Sequence, residues 1–293
     1  MGAGQAPSRL KAPATLEASA IMARAFSENF PVALRLLATQ QRERLLAIYG
    51  FARLCDEIGD SPEGAPADRL EALDWLQAEL ESAYAGTASH PLMSRLQQIL
   101  EHCPLPREPF VRLIEANRMD QQISRYETWE QLRSYCHLSA DPVGELVLAA
   151  FDCSSSERIA LSDEICTALQ LTEHLQDIGE DMRRGRVYLP ADEMRRFGVS
   201  ETDLRAANTT PALAALIAFQ LTRAEALFDA GAPLIQTLKG RPRLAVAAFL
   251  GGGRSALSAI AGAGYEVLAG QPRPQTLQGL TATLAALLGR RRR

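Results

Sequence analysis

Apolar residues recur at intervals of three and four along nearly the whole chain, and runs in which β-branched and polar residues alternate are essentially missing. That periodicity lays apolar side chains along one stripe of a helix and leaves no segment suited to the two faces of a sheet. The expected fold class is therefore all-α. Helices are expected over 17–38, 41–60, 68–85, 90–102, 107–121, 127–151, 155–184, 211–238, 241–269 and 274–289. Breaks fall at Ser61-Pro62-Glu63-Gly64, at Cys103-Pro104-Leu105-Pro106 and across 185–210, where Pro and Gly interrupt the pattern. With 47% apolar residues in 293, the chain can bury a large core. No break is long or biased enough to be a linker, so 17–289 is expected to form one domain, between a flexible segment over 1–16 and a basic tail over 290–293. The 185–210 connection has the length of a functional lid. Small residues, dense from Ala245 to Gly253, let helices approach closely or leave room for a long apolar ligand.

Composition removes several functions. Net charge is −4, and the only dense basic run is Arg290 to Arg293, so duplex nucleic acid is not an expected partner. That run reads as a solvated chain end. The five cysteines are scattered and never form Cys-x-x-Cys, which argues against a disulfide framework and a structural zinc site and fits a reducing cytoplasm. No stretch reaches 18 uninterrupted apolar residues, so the expected protein is soluble or only peripheral to a membrane.

Two acidic repeats then demand explanation: Asp56-Glu57-Ile58-Gly59-Asp60 and Asp177-Ile178-Gly179-Glu180-Asp181. Helical residues four apart share a face at about 6 Å along the axis, so each repeat aims two like charges at one point. Asp is also a poor helix former. Mg²⁺, which takes one or two carboxylates together with substrate phosphate oxygens, supplies the compensation, and the repeats read as two half-sites facing one cavity. Tyr49, Arg53, Asp56 and Asp60 share one face. Alone, that motif would be a solvated stripe with Arg53 paired to Asp56; the second repeat weakens this reading. Gln170, Glu173, Asp177 and Asp181 share another face, followed by Arg183, Arg184 and Arg186. The arginines suit either bidentate phosphate contacts or their own helix dipole. His174, without a spaced partner, reads as a hydrogen-bonded structural residue. Gly251-Gly252-Gly253 lies inside a helical pattern, so a nucleotide cradle is not expected there.

Ser27-Glu28-Asn29-Phe30, Tyr49 to Asp60, Tyr135 to Gly144 and Gln170 to Pro190 stand in an order and spacing that resemble the squalene and phytoene synthases. These are head-to-head prenyltransferases of the isoprenoid synthase fold. The resemblance implies one helical bundle around a central apolar cavity. It implies that Asp56, Asp60, Asp177 and Asp181 bind Mg²⁺ and the diphosphate, with Arg53 and Tyr188 assisting and Tyr49 and Tyr135 lining the cavity. Ser27, Asn29, Gln170, Arg183 and Arg186 fall in the substrate-binding set, and Asp120 on a further acidic position.

Within that family, Ala25 to Val32, Ser139 to Gly144 and Leu171 to His174 look most like the hydroxysqualene-forming branch of the hopanoid pathway. That branch is taken to convert presqualene diphosphate and water into hydroxysqualene and diphosphate, without a nicotinamide cofactor. Three departures from the broader pattern accompany it: Glu173 in place of Asn, Gln176 in place of Arg, and Gly253 where phytoene synthases carry Tyr. Glu173 adds a carboxylate to the metal set; Gln176 removes a fixed positive charge. Glu173 and Tyr135 are the candidates for orienting the quenching water. The alternatives are a presqualene diphosphate or phytoene synthase joining two prenyl diphosphates, and a non-catalytic prenyl-lipid-binding or assembly protein. The intact acidic pairs weigh against the last. The expected location is cytoplasmic, with peripheral contact at the inner face of the membrane.

Overall fold

In the computed structural model, which describes residues 37–61, 65–272, 283 and 286–287, the regular structure of the described residues is helical. Pairing of β type is confined among them to an isolated parallel bridge between Arg125 and Val187. The residues divide into two compact units.

The first unit spans Ala38–Gln122 and holds α1 (Thr39–Gly59), α2 (Pro66–Tyr84), α3 (Pro91–Leu100) and α4 (Arg107–Met119). Proline begins both α2 and α3, where its missing N–H would have had no helical partner. Phe51, Leu54, Leu73, Leu80, Leu96, Phe110 and Ile114 are fully buried, each contributing roughly 1.5–3 kcal/mol by leaving water. Phe51 and Phe110 meet edge to face at 4.8 Å, which joins α1 to α4. The Glu79 carboxylate accepts from the backbone N–H groups of Ser89 (3.0 Å) and His90 (2.9 Å), fixing the start of α3 against α2.

The second unit runs from Ile123 onward. It holds α5 (Trp129–Ser139), α6 (Asp141–Ala150), α7 (Ser156–Gln176), α8 (Ile178–Arg183), α9 (Ala191–Phe197), α10 (Glu201–Leu204), α11 (Pro211–Gly231), α12 (Leu234–Thr237) and α13 (Gly240–Gly262). Hydroxyl caps start three of them: Thr128 for α5, Ser155 for α7 and Thr210 for α11. The core is built on α7, whose Ala168, Leu171 and Leu175 are fully buried with Leu216, Ile217 and Phe228 of α11 and Leu250 of α13. Gly253 of α13 belongs to this packing. A Cβ there would stand 2.3 Å from Phe228 Cζ and 2.8 Å from Leu169 Cδ2, so the space a larger residue would need is already filled.

Four expected helices are shorter or broken. The 127–151 segment restarts at Asp141, because Pro142 lacks an N–H and its ring clashes with the Leu138 carbonyl of a continued helix. The 155–184 segment breaks at Asp177, whose φ of −104° and ψ of 9° depart from the helix. The 211–238 segment breaks at Ala232-Pro233, and 241–269 stops at Gly262, followed by positive φ at Gly264 and Tyr265.

The 185–210 segment carries α9 and α10 and is packed down. Val187 N–H donates to Ser124 O (2.9 Å), Ala191 N–H donates to Tyr126 O (2.9 Å), and Arg125 bonds Glu201 (2.6 Å). Pro211–Thr237 and Gly240–Gly262 are long and apolar enough to cross a membrane, yet both are core elements. Gln220, fully buried within the first, hydrogen-bonds Glu193.

Candidate active site

The last turns of α1 carry the first acidic repeat. Asp56 lies within the helix and Asp60 caps its end, with Asp60 N–H donating to Asp56 O at 2.8 Å. Gly59 makes this end of the helix approachable: a Cβ there would fall 1.9 Å from Asn117 Oδ1 of α4. Asn117 Nδ2 donates to Leu113 O (3.2 Å) and Cys55 Sγ (3.3 Å) and stands 3.5 Å from Asp56 Oδ1. Gln121 Nε2 donates to Gly59 O (3.1 Å), and its Oε1 accepts from Arg69 Nε (2.6 Å), so the helix end is held from two sides. Arg53 pairs with Glu57 at 3.0 Å and acts on Asp56 through its charge.

Protein packed around Asp56, and then the Asp60 charge, push its carboxyl up to about 7; Asn117 and Arg53 oppose, and Asp120, which caps α4, adds to the rise. The side chain still reaches solvent, so water tempers the shift. Its upward direction follows from the like charge one turn away. Tyr49 is half-buried two turns earlier on α1.

The second repeat is not one continuous helix. Asp177 ends α7 and begins α8, a position where the poor helix propensity of Asp carries little penalty. Asp181 N–H nevertheless donates to Asp177 O at 2.8 Å, so the two carboxylates remain one turn apart. Burial and then the Asp177 charge push Asp181 up to about 7, against Arg184 and Arg186. Asp177 is likewise raised, by burial and then by Glu180, while Gln271 opposes. Gln271 Nε2 donates to Asp177 Oδ1, and Gln176 Nε2 donates to Pro272 O at 3.0 Å, so residues 271–272 lie across the repeat. Glu173 is exposed one turn before Asp177, and Arg183 is exposed. Arg184 pairs with Glu180 at 2.8 Å.

A small cleft adjoins Asp181, lined also by His174, Ile178, Arg186, Tyr188, Leu189 and Leu204. The bridge between Arg125 and Val187 sets Tyr188 beside Tyr126, ring centroids 5.9 Å apart. Tyr135 of α5 stacks on Tyr188 at 5.4 Å and meets Tyr126 at 5.4 Å. His174 stacks on Tyr188, with centroids 3.9 Å apart and planes within 11°. Three tyrosines and an imidazole thus form an aromatic shelf beside a carboxylate. Burial depresses His174 to about 3, so the ring is neutral. Gln170 Nε2 lies 3.2 Å from His174 Nε2.

Tyr49, Arg53, Asp56 and Asp60, with Asp120 acting on Asp56, gather in the first unit; Tyr135, Gln170, Asp177, Asp181, Arg186 and Tyr188 gather in the second. Ser27 and Asn29 lie outside the described residues. Tyr126 and the shelf position of His174 escape sequence reasoning. A signal for His174 existed, since it stands four residues after Gln170 and seven before Asp181, on the same stripe. Tyr126 has no local signal, because its partners arrive through the 187–191 segment.

Among the described residues no group of three or more His, Cys, Asp and Glu is close enough to hold a metal by itself. The pairs nevertheless fit Mg²⁺, a hard cation that uses one or two carboxylates and completes its shell with water and phosphate oxygens. Burial, and then the second carboxylate of each pair, push Asp56 and Asp181 up, and a cation between the paired charges would offset the repulsion.

The squalene/phytoene synthase family model matches residues 23–278. The hydroxysqualene synthase of Rhodopseudomonas palustris is 36% identical over 213 residues, 72% of each chain. The 15-cis-phytoene synthase of Synechococcus elongatus is 32% identical over 275 residues, 90% of this chain and 89% of that one. Among solved structures, squalene synthase HpnC from Alicyclobacillus acidocaldarius matches with a TM-score of 0.77 at 41% identity, over 85% of this chain and 94% of that one.

Proposed function

The chain belongs to the squalene/phytoene synthase family, whose members use prenyl diphosphates, and has its all-α isoprenoid synthase fold; on that footing we propose that it is a Mg²⁺-dependent hydroxysqualene synthase. The reaction converts presqualene diphosphate and water into hydroxysqualene and diphosphate, as a step of hopanoid synthesis. The observation that carries the reading is one small cleft lined together by Asp181, Arg186 and Tyr188, with Tyr135 stacked on Tyr188. An anionic leaving group and a carbocation need those two surfaces side by side.

In this reading 17–289 acts as one synthase domain, and each acidic repeat takes part in releasing diphosphate. Mg²⁺ held by Asp56 and Asp60, and by Asp177 and Asp181 with Glu173, supplies neutralisation of the leaving-group charge. Arg53, Arg183 and Arg186 donate hydrogen bonds to diphosphate oxygens. The carbon–oxygen bond breaks and its electron pair leaves with diphosphate. Tyr49, Tyr135 and Tyr188 present ring faces to the cation, while the apolar wall keeps bulk water away. One water then forms the new carbon–oxygen bond and loses a proton. Ser27, Asn29 and Gln170 position the substrate, and no nicotinamide is needed because no hydride is transferred. The enzyme works in the cytoplasm and delivers its lipid product through peripheral contact with the membrane.

The relative named as a 15-cis-phytoene synthase, matched over 90% of this chain, favours a second reading: head-to-head condensation of two prenyl diphosphates. Incubation with presqualene, farnesyl or geranylgeranyl diphosphate separately, in Mg²⁺ and ¹⁸O-labelled water, distinguishes them by mass spectrometry. Labelled hydroxysqualene from presqualene diphosphate alone is the expected result. Product from farnesyl or geranylgeranyl diphosphate alone overturns the first reading in favour of the second.

A further inference from the structure

His174 makes three different contacts with groups that the proposed reaction uses separately. An amide nitrogen can only donate, so the 3.2 Å contact makes His174 Nε2 the acceptor from Gln170 and leaves the ring proton on Nδ1. Nδ1 stands 4.0 Å from Asp181 Oδ2, outside direct hydrogen-bond distance and within reach of it by a small side-chain movement. The ring plane lies on Tyr188 at 3.9 Å, and Tyr188 stacks in turn on Tyr135 and Tyr126. Gln170 and His174 share a face of α7, whereas Asp181 lies beyond the break at Asp177. A helix break is a point where two elements can lose register, and this imidazole spans it.

We propose that His174 is a positioning residue: it holds the Gln170 amide and the Tyr188 ring in one register and sets a ring N–H beside the Asp181 carboxylate, and so aligns the aromatic shelf against the diphosphate end of the site. The inference rests on the proposed function. A flat ring with donor and acceptor on separate edges meets all three requirements, and no other natural side chain does so at this size. Orienting partners behind metal-binding carboxylates typically matter by about 10–100-fold in affinity or activity.

The test uses the full-length protein and three substitutions. His174→Phe keeps the stacking face and loses both nitrogens; His174→Asn places an amide nitrogen near Nδ1, where the donor stood; His174→Gln places an amide oxygen near Nε2, where the acceptor stood. Calorimetric titration with inorganic diphosphate in Mg²⁺ reads the Asp181 side without any prenyl chain. Product analysis from presqualene diphosphate reads the Gln170 side. His174→Phe is expected to bind Mg²⁺-diphosphate about 10–100-fold more weakly and to give a broader product mixture. His174→Asn is expected to regain affinity but not product fidelity, and His174→Gln the reverse.

Wild-type affinity and products from folded His174→Phe overturn the inference alone. Failure of the wild-type protein to bind Mg²⁺-diphosphate overturns the functional reading and this inference with it. If His174→Phe does not fold, the Asn and Gln variants decide, and identical behaviour of the two overturns it.

Discussion

Replacing Asp181 with Asn removes a charge while keeping the shape of the side chain, and the fold should become more stable as the site loses its ligand. The Asp181 side chain is 15% exposed, and burial with the Asp177 charge raises it from 3.8 to about 7. A carboxyl raised on folding is disfavoured in its charged form. Below about pH 4 both states are protonated and no penalty exists; stability is lost as pH rises between the two values and is level above about 7. At about 1.36 kcal/mol per unit, the penalty is roughly 4 kcal/mol at pH 8 and about 1.6 kcal/mol at pH 5. The Asn amide must still find hydrogen-bond partners, so Asp181→Asn is expected to gain about 2–4 kcal/mol at pH 8 and about 1 kcal/mol at pH 5. Urea unfolding at both pH values provides the measurement. The chain has two tryptophans, Trp75 and Trp129, so a Trp75→Phe background leaves Trp129 to report on the second unit. No gain at pH 8, or an equal gain at both pH values, would refute the argument that like charge and burial strain this pair.

Gly59→Ala should destabilise the first unit by about 1–3 kcal/mol through overpacking. The new Cβ would meet Asn117 Oδ1 at 1.9 Å, which outweighs the helix preference of Ala, about 1 kcal/mol at most. A variant as stable as wild type in denaturant unfolding contradicts the close approach of α1 and α4. Mg²⁺-diphosphate affinity should fall as pH drops below about 7, because Asp56 and Asp181, both raised to about 7, must shed protons to bind the cation. Calorimetry at pH 6 in buffers of different ionisation heat should count released protons, and a pH-independent affinity without proton release would be the contrary finding.

The all-α class was readable because helical periodicity is local, as are the Pro and Gly signals that end helices. Where it fails, periodicity does not carry the cause. Asp177 sits within an unbroken apolar period, yet the chain departs from the helix there, which the pattern alone does not signal. The 185–210 segment reads as a lid by length, but backbone pairing of Val187 and Ala191 with Ser124 and Tyr126 ties it down. Such pairing joins residues more than sixty positions apart and leaves no periodic trace. The same bridge explains why Tyr188 was nameable from its motif whereas Tyr126 was not. Carboxylate spacing was legible because four residues make one turn. What Arg53 does with it was not, since Glu57, four residues on, competes with Asp56, three residues on, and takes a 3.0 Å contact with the guanidinium.

Two of the three sequence departures, Gly253 and Gln176, acquire a physical meaning in the second unit. Gly253 is required by Phe228, whose ring already occupies the space over α13, so a tyrosine there would need the core to repack. Gln176 gives its amide to Pro272 O while Gln271 donates to Asp177, which fastens residues 271–272 across the acidic repeat. A guanidinium at 176 would have supplied a permanent positive charge beside Asp177. With glutamine there, neutral amides surround that edge, and relief of the Asp177–Asp181 repulsion falls to Arg184, Arg186 and whatever cation the site binds. The pair is thereby left strained in the ligand-free protein. Binding energy from Mg²⁺ and diphosphate releases that strain, so a fixed charge introduced by Gln176→Arg would stabilise the ligand-free fold while making the ligand's arrival worth less.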